Sequence, residues 1–379
     1  MNFDLTDEQE LIRETVREFA EAELAPIAAE IDREHRFPAE ILPKLAGLSL
    51  MGVPFPEEVG GAGADYLSYV IVIEELSRAC ASTGTIVSAH SSLGTTPIYR
   101  SGTPAQKDKY LYDLASGRLL AAFALTEPAA GTDAAAGTCT AVLEGDEYVL
   151  NGSKIFITNA PYADVYIVFA KTDASQGTRG ISAFIVEKGT PGFSVGEAEH
   201  KLGIRASSTP PLYFSNCRIP KDALLGGEGN GFKIAMQTLD GGRIGIAGQA
   251  LGIAQAALDA SVAYAKERIQ FGKPIASLEA IQWMIADMAT EVDASRLLVY
   301  RAASFVDSGR PYGTEGAMAK LFASETASRV AGKAIQIHGG YGYTESYPVE
   351  RHYRDAKITE LYEGTSEVQR MVISRSALR

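Results

Sequence analysis

Residues 138–160 read TCTAVLEGDEYVLNGSKIFITNA, and this stretch decides how the chain divides. Residues 140–143 and 148–150 are short β-rich runs parted by Gly145-Asp146, and Asn151-Gly152 ahead of 154–158 reads as a second hairpin. Strand patterning continues at 165–170, 181–186, 193–195 and 212–214, with Gly, Asn and Pro turns between. Upstream the apolar period is helical. Thr6 and Gln9 form a capping box, and Ile12, Val16, Phe19, Ala20, Ile27 and Ile31 follow at helical spacing. Pro26 is placed to kink that stripe and Pro38 to start a second helix, while Thr103 and Gln106 bracket Pro104 in another capping box. After Gly226-Gly227-Glu228-Gly229 the pattern is helical to the end, broken at 272–274, 308–311 and 339–348 into four segments. The expected fold is therefore α+β and multidomain: a helical N-terminal domain over 1–118, a middle β-barrel or sandwich domain over 119–226, and a C-terminal four-helix bundle over 227–379.

Composition narrows the function. At roughly 100–200 residues per domain, 379 residues suit two or three domains. Lys and Arg total 35 against 47 Asp and Glu, a net charge of −12 that argues against nucleic acid or an acidic membrane as partner. Cys80, Cys139 and Cys217 are far apart with no CxxC, and the five histidines show no HExxH, so neither a disulfide framework nor a metal site is expected. Met1-Asn2-Phe3-Asp4 lacks the basic and apolar segments of a signal peptide. The longest run free of charged residues, between Arg78 and Arg100, is broken by His90 and Pro97. A soluble protein of a bacterial cytoplasm is the expectation; a processed mitochondrial matrix protein would read the same.

No GxGxxG, GxxxxGK[ST] or GxSxG is present, so the common nucleotide and nucleophile signatures are missing. Six clusters remain, each with a plain structural explanation beside a functional one. The segment 123–132 (FALTEPAAGT) is either a junction loop or a set of hydroxyls and backbone N–H groups facing a flat polar ligand. In 154–159 (KIFITN), Phe156 could pack on a ring and Thr158 could donate to it, or the strand is simply half-buried. Asp240-Gly241-Gly242-Arg243 with Gly245, Gly248 and Gly252 fits close helix packing or a bulky ligand. Arg268 ahead of Phe271-Gly272 complements a helix C-terminus, or binds phosphate with its fork of donors. His338 reads as a packed or surface histidine rather than a catalyst, but three glycines in 336–342 (QIHGGYG) exceed what a helix cap needs. Ser366 and Gln369 read as a capping box, with Glu363 just before that helix; its dipole favours a charged carboxylate, whereas a general base needs burial.

Together these clusters resemble the acyl-CoA dehydrogenases, over essentially the whole chain and in family order. The resemblance implies FAD held without a covalent link, a homotetramer, oxidation of an acyl-CoA thioester to the trans-2-enoyl-CoA, and electron-transfer flavoprotein as acceptor. By the same resemblance Glu363 is the base that removes the α-proton, and its backbone N–H helps bind the thioester oxygen. Phe123, Leu125, Thr126, Gly131 and Thr132 match the flavin loop, with Thr132 also near CoA, and Phe156, Ile157 and Thr158 match residues beside the isoalloxazine. Arg268, Phe271, Gln336, Gly339 and Gly340 match contacts to FAD across a subunit interface, and Thr365 and Glu367 flavin contacts at a helix start. Asp240, Arg243 and Gly364 match substrate-side positions.

Some family members carry the base just before the Arg matching Arg243, where this chain has Gly242, so the pattern favours the short- and medium-chain side, and resemblance to the short-chain branch, including 157–160 and 240–243, makes butyryl-CoA the expected substrate. A branched short-chain substrate such as isobutyryl-CoA, an oxidase using O₂, and a non-catalytic flavoprotein or assembly factor of the same fold are the alternatives. The chain departs from the family at Phe156, where Trp is common, at Ala160-Pro161, where a glycine pair is usual, and at Glu279, where Gln is frequent.

Overall fold

The computed structural model describes residues 4–379, so the reading of Met1 to Phe3 lies outside the described residues. Seven helices come first: α1 (Asp7–Phe19), α2 (Ala28–Arg33), α3 (Leu42–Gly47), α4 (Tyr66–Ala79), α5 (Ala81–Ser88), α6 (Thr96–Ser101) and α7 (Pro104–Ala115). Both early capping boxes close: Gln9 N–H donates to Thr6 Oγ1 at 3.3 Å while Thr6 N–H donates to Gln9 Oε1 at 3.0 Å, and Thr103 and Gln106 repeat the arrangement. A π-turn over Ala20–Leu24 and the turn through Pro26 separate α1 from α2. Pro38 does not start an α-helix; it precedes a short 3₁₀ turn, Ala39–Ile41, and α3 begins after it.

The sheet comprises β1 (Ala121–Ala124), β2 (Thr140–Glu144), β3 (Glu147–Lys154), β4 (Val165–Lys171), β5 (Ile181–Glu187), β6 (Phe193–Val195), β7 (Leu212–Pro220) and β8 (Leu224–Leu225). Its order is β6-β7-β3-β2-β4-β5-β8, with β1 parallel to β4. Strands β2 and β4 share the single register pair Thr140↔Lys171, and the halves on either side close over one apolar cluster containing Tyr148, Leu150 and Phe214 from one half and Tyr166, Val168 and Phe184 from the other. The opposite face of β4, Val165, Ile167 and Phe169, packs against Ile98, Leu111 and Leu114 of the helices. Burial on both faces explains why 165–170 is a continuous apolar run rather than an alternating one.

Asn151-Gly152 is not a hairpin turn. It lies inside β3 at a register shift opposite β7, where Asn151 Oδ1 accepts the Asn216 N–H at 2.8 Å and Gly152 has φ +138°. A bulge selects glycine for the same reason a turn does, and the true hairpin turn is at Gly145-Asp146.

Five helices follow: α8 (Gly231–Glu267), α9 (Glu279–Asp307), α10 (Gly313–His338), α11 (Val349–Thr359) and α12 (Ser366–Ala377). The expected fourth segment is thus two helices, parted at 360–365. No helix among the described residues is long and apolar enough to cross a membrane. The first and last helical blocks share one apolar core, in which Ile73, Leu76 and Ile86 pack with Ile244, Leu251 and Val330. Close approach of α4 to α8 accounts for two glycines of α8: a Cβ at Gly252 would lie 2.3 Å from the Glu74 carbonyl oxygen, and one at Gly248 would lie 3.2 Å from Val70. Between the blocks, buried His90 joins α7 to β1, its Nε2 bonding the Leu114 carbonyl and its Nδ1 accepting the Ala121 N–H, which fixes the proton on Nε2. Burial pushes that imidazole down to about 4, so it stays neutral.

The α4–α8 contact yields a stability prediction. Gly252→Ala removes a helix-interior glycine, a gain of up to about 1 kcal/mol, yet wedges the two helices apart at a typical overpacking cost of about 1–3 kcal/mol. Urea unfolding should show a net loss of stability; a gain would mean the helices separate freely.

Candidate active site

The break between α11 and α12 builds the centre of the site. Leu361 and Tyr362 N–H groups close back on the Ile358 carbonyl, and Ser366 N–H on the Glu360 carbonyl. Glu363 and Gly364 between them take φ +52° and +91°. A non-glycine residue rarely adopts that conformation without surrounding contacts that impose it. Three contacts do so here. Gln369 Nε2 donates to the Gly364 carbonyl at 2.8 Å and the Glu363 carbonyl at 3.3 Å, and Lys320 Nζ donates to Gly364 O at 2.6 Å. Tyr362 is hydrogen-bonded to Gln249, whose amide donates to Thr85 Oγ1 at 2.6 Å and to the Ala81 carbonyl at 3.1 Å. The helix cap differs from expectation: Thr365, not Ser366, is the N-cap and accepts the Val368 N–H, which frees the Gln369 side chain for the turn before it.

This geometry lays the Glu363 carboxylate against α8. Oε2 is buried and has no hydrogen-bond partner among the described residues, and a Cβ on Gly242 would lie 2.0 Å from it. Gly242 is glycine because that space belongs to the carboxylate. Burial pushes Glu363 up to about 7, opposed by the positive charges of Lys320 and then Arg243. Desolvation therefore outweighs both positive charges. Arg243 is itself buried, paired with Asp240 at 2.5 Å, and burial holds the Asp240 carboxyl above its usual range.

The π-helical segment 89–95 ties this centre to the sheet. Leu93 Cδ2 would touch a Cβ on Gly242, and the Gly94 backbone packs so closely on β1 that a Cβ would meet Ala121 at 2.3 Å. At the end of β1, Phe123 leans on Phe169 with ring centroids 4.9 Å apart, and Leu125 and Thr126 are half-buried. Ile155 N–H donates to the Thr126 carbonyl at 2.9 Å, which joins the loop after β1 to the chain after β3. A buried ion pair pins this loop from behind: Lys154 Nζ meets Glu127 Oε1 at 2.8 Å and donates to the Leu125 carbonyl, while Glu127 accepts N–H groups of Thr138 and Cys139. Phe156 stands at φ +60° and 59% exposed, and Thr126 and Thr158 are both half-buried. Such a surface suits a flat aromatic ligand with a polar edge. Ile157 faces the other way: its side chain is in the sheet core and its N–H is spent on Pro210 O. Gly131 and Thr132 are exposed on the outer part of the loop.

A third group is remote from the first. Arg268 follows the C-terminal end of α8, roughly 39 Å along the helix from Gly242 at 1.5 Å per residue. With Phe271, Gly339 and Gly340 it lines an open cavity of about 590 Å³. Its guanidinium lies over Tyr341 at 5.5 Å and has no carboxylate partner among the described residues, leaving it free for an anion such as a phosphate. Phe271 is 89% exposed, and Gln336 is exposed on α10. Of the two readings of His338, packed and surface, the packed one holds: it stacks on Tyr264 at 4.2 Å and bonds the Ala334 carbonyl. Thr365 is committed to its cap, and Glu367 is exposed beside it. Of the family departures, Glu279 sits exposed in the first turn of α9, where negative charge is favoured. Ala160 is buried next to Pro161, and Tyr162 stacks on Phe37 at 3.8 Å.

Family models for the N-terminal, middle and C-terminal domains of acyl-CoA dehydrogenases match residues 6–118, 122–217 and 229–378. The chain belongs to the acyl-CoA dehydrogenase family. It is 56% identical over 379 residues to the short-chain specific acyl-CoA dehydrogenase of Clostridium acetobutylicum, covering all of both chains. Among solved structures it is similar to butyryl-CoA dehydrogenase from Megasphaera elsdenii, with a TM-score of 0.98 and 50% identity over the whole of each chain. It also matches, at TM-score 0.99 and 55% identity over the whole of each, a chain from a study of the electron transferring flavoprotein of Acidaminococcus fermentans and flavin-based electron bifurcation. The protein is an oxidoreductase of this family's three-part fold.

Sequence reading passed over Lys320 and Gln249, although a signal was available for the lysine. Gly316, Ala319, Ala323, Ala327 and Ala331 mark the inward stripe of α10, and Lys320 falls within it. The packing of Glu363 on Gly242 gives a direct test. Gly242→Ala should displace the carboxylate and lower turnover of this acyl-CoA dehydrogenase by roughly 10²-fold, the scale of a misplacement near 1 Å, with the melting temperature nearly kept. Unchanged turnover would mean the carboxylate works from another position.

Proposed function

We propose that the protein dehydrogenates a short-chain acyl-CoA, butyryl-CoA first among them, to the trans-2-enoyl-CoA, with Glu363 as the base. The observation that carries this reading is the half-buried Glu363, its Oε2 out of water with no hydrogen-bond partner among the described residues and its carboxyl pushed up to about 7. A base tuned near the working pH both exists as carboxylate and holds the proton it takes. The thioester acidifies the α-carbon; its oxygen would rest on the Glu363 N–H, which makes no hydrogen bond among the described residues. That donor stabilises the developing enolate. FAD is the cofactor, and when bound it accepts the hydride that leaves the β-carbon.

Phe123, Leu125, Thr126, Gly131, Phe156, Ile157 and Thr158 form the wall on which the flavin lies, Ile157 from the core behind it, with Thr365 and Glu367 at the start of α12. Thr132, Asp240, Arg243 and Gly364 form the substrate side. The separation of Arg268 from Gly242 along α8 supports a flavin shared between subunits: Arg268, Phe271, Gln336, Gly339 and Gly340 serve the partner's cofactor within a homotetramer. Electron-transfer flavoprotein is the proposed acceptor, a reading supported by the match to a chain from the study of that flavoprotein. Identity to a short-chain specific enzyme and to a butyryl-CoA dehydrogenase supports the chain-length assignment.

Glu363→Gln should keep the flavin absorbance and lose roughly 10²–10⁴-fold in turnover, the usual contribution of a positioned base. In the wild type, Glu363 must be deprotonated to act, so kcat/KM should fall about tenfold per unit as pH drops below about 7. A flat profile from pH 5 to 8, or an active Glu363→Gln enzyme, would remove Glu363 from the role. Across chain lengths kcat/KM should rank C4 above C8; the reverse order, or a preference for isobutyryl-CoA, would overturn the substrate class.

A further inference from the structure

The mechanism leaves one charge at the site unused. Lys320 is wholly buried on α10, its Nζ donates to the Gly364 carbonyl, and it has no ion-pair partner among the described residues. A buried ammonium without its own carboxylate is costly and contributes little to stability on its own account. Its location suggests what it does instead. The carbonyl it holds belongs to the residue after Glu363, and Gln369 donates to that same oxygen at 2.8 Å. We propose that Lys320 is the positioning residue of the base: it holds the Gly364 carbonyl so that Glu363 stays in its left-handed turn, and it directs an uncompensated positive charge at the Glu363 carboxylate. This rests on the reading of Glu363 as the base.

The groups around Glu363 leave Lys320 as the cation free to play this part. From α8 comes Arg243, whose charge is shared with Asp240. From α4 come Tyr66 and Tyr69, and from the same turn Tyr362; burial holds all three phenols neutral, well above physiological pH. On the far side of Lys320, Glu360 is engaged by Lys357 and Ser328, and Glu367 is exposed. Burial pulls Lys320 down to about 8, which leaves it mostly charged where Glu363 titrates, and its charge is the largest influence opposing the burial of Glu363.

The test is the pH profile of kcat/KM in the flavin-loaded enzyme for Lys320→Met, Lys320→Gln and Lys320→Arg, beside Glu363→Gln. Both neutral variants should move the acidic limb up by about one pH unit, so that activity at pH 6 falls roughly tenfold more than at pH 9. Lys320→Gln, which keeps a donor for Gly364 O, should lose less at pH 9 than Lys320→Met. Lys320→Arg should restore the wild-type limb. A merely structural lysine would lower activity by one factor at every pH, and that outcome overturns the inference. If the neutral variants do not fold, a displaced limb in Lys320→Arg contradicts it and a wild-type limb supports it. An active Glu363→Gln enzyme would instead strike down the base assignment, whereas an inactive one with unmoved limbs for Lys320→Met and Lys320→Gln sinks this inference alone.

Discussion

A carboxylate with one oxygen, Oε2, taken out of water and left without a hydrogen-bond partner among the described residues is the constraint on which the rest of the site depends. Solvation alone would keep Glu363 at the surface, as it does most glutamates. It is held inside by backbone: two consecutive left-handed residues turn the chain at the break between α11 and α12, and Gln369 and Lys320 fasten the carbonyls of that turn. Each supporting feature answers this one demand. Gly242 vacates the volume, the Tyr362–Gln249–Thr85 chain anchors the preceding residue to α5, and burial sets the protonation equilibrium near neutrality.

Placement of the sheet follows from the helices around it. The N-terminal and C-terminal blocks are continuous through one core, so the chain is less three beads in a row than a helical body with a sheet set into its middle. Segment 89–95 touches both: Leu93 toward the carboxylate and Gly94 against β1. That arrangement fixes the distance between the Glu363 turn and the loop beyond β1. The Glu127–Lys154 pair then holds the loop itself, and breaking one partner of such a buried pair typically costs about 3–5 kcal/mol.

Where the sequence was readable, the deciding interaction is local. The Thr6–Gln9 and Thr103–Gln106 boxes close within three residues, and the resemblance of six motifs in order identified the family and the three-part fold. Errors came where one residue pair serves two geometries. Asn151-Gly152 is acceptable in a turn or a bulge, and only the position of β7 decides. Thr365 and Ser366 are both good caps, and the choice rests on where Gln369 is drawn by the Gly364 carbonyl. Gly242 is marked by its cluster and Lys320 by the small-residue stripe of α10, but what each does appears only when the chain folds and brings residue 363 against residue 242.

The central claim is that this buried carboxylate, facing a bound flavin, removes a proton from a short acyl-CoA. Anaerobic titration of the purified, FAD-loaded protein with butyryl-CoA, followed in the visible spectrum, tests it most directly. The account predicts bleaching of the oxidised flavin band in the wild type, and an unbleached band in Glu363→Gln despite bound ligand. A wild-type band that survives excess butyryl-CoA, or equal bleaching in both proteins, would contradict it.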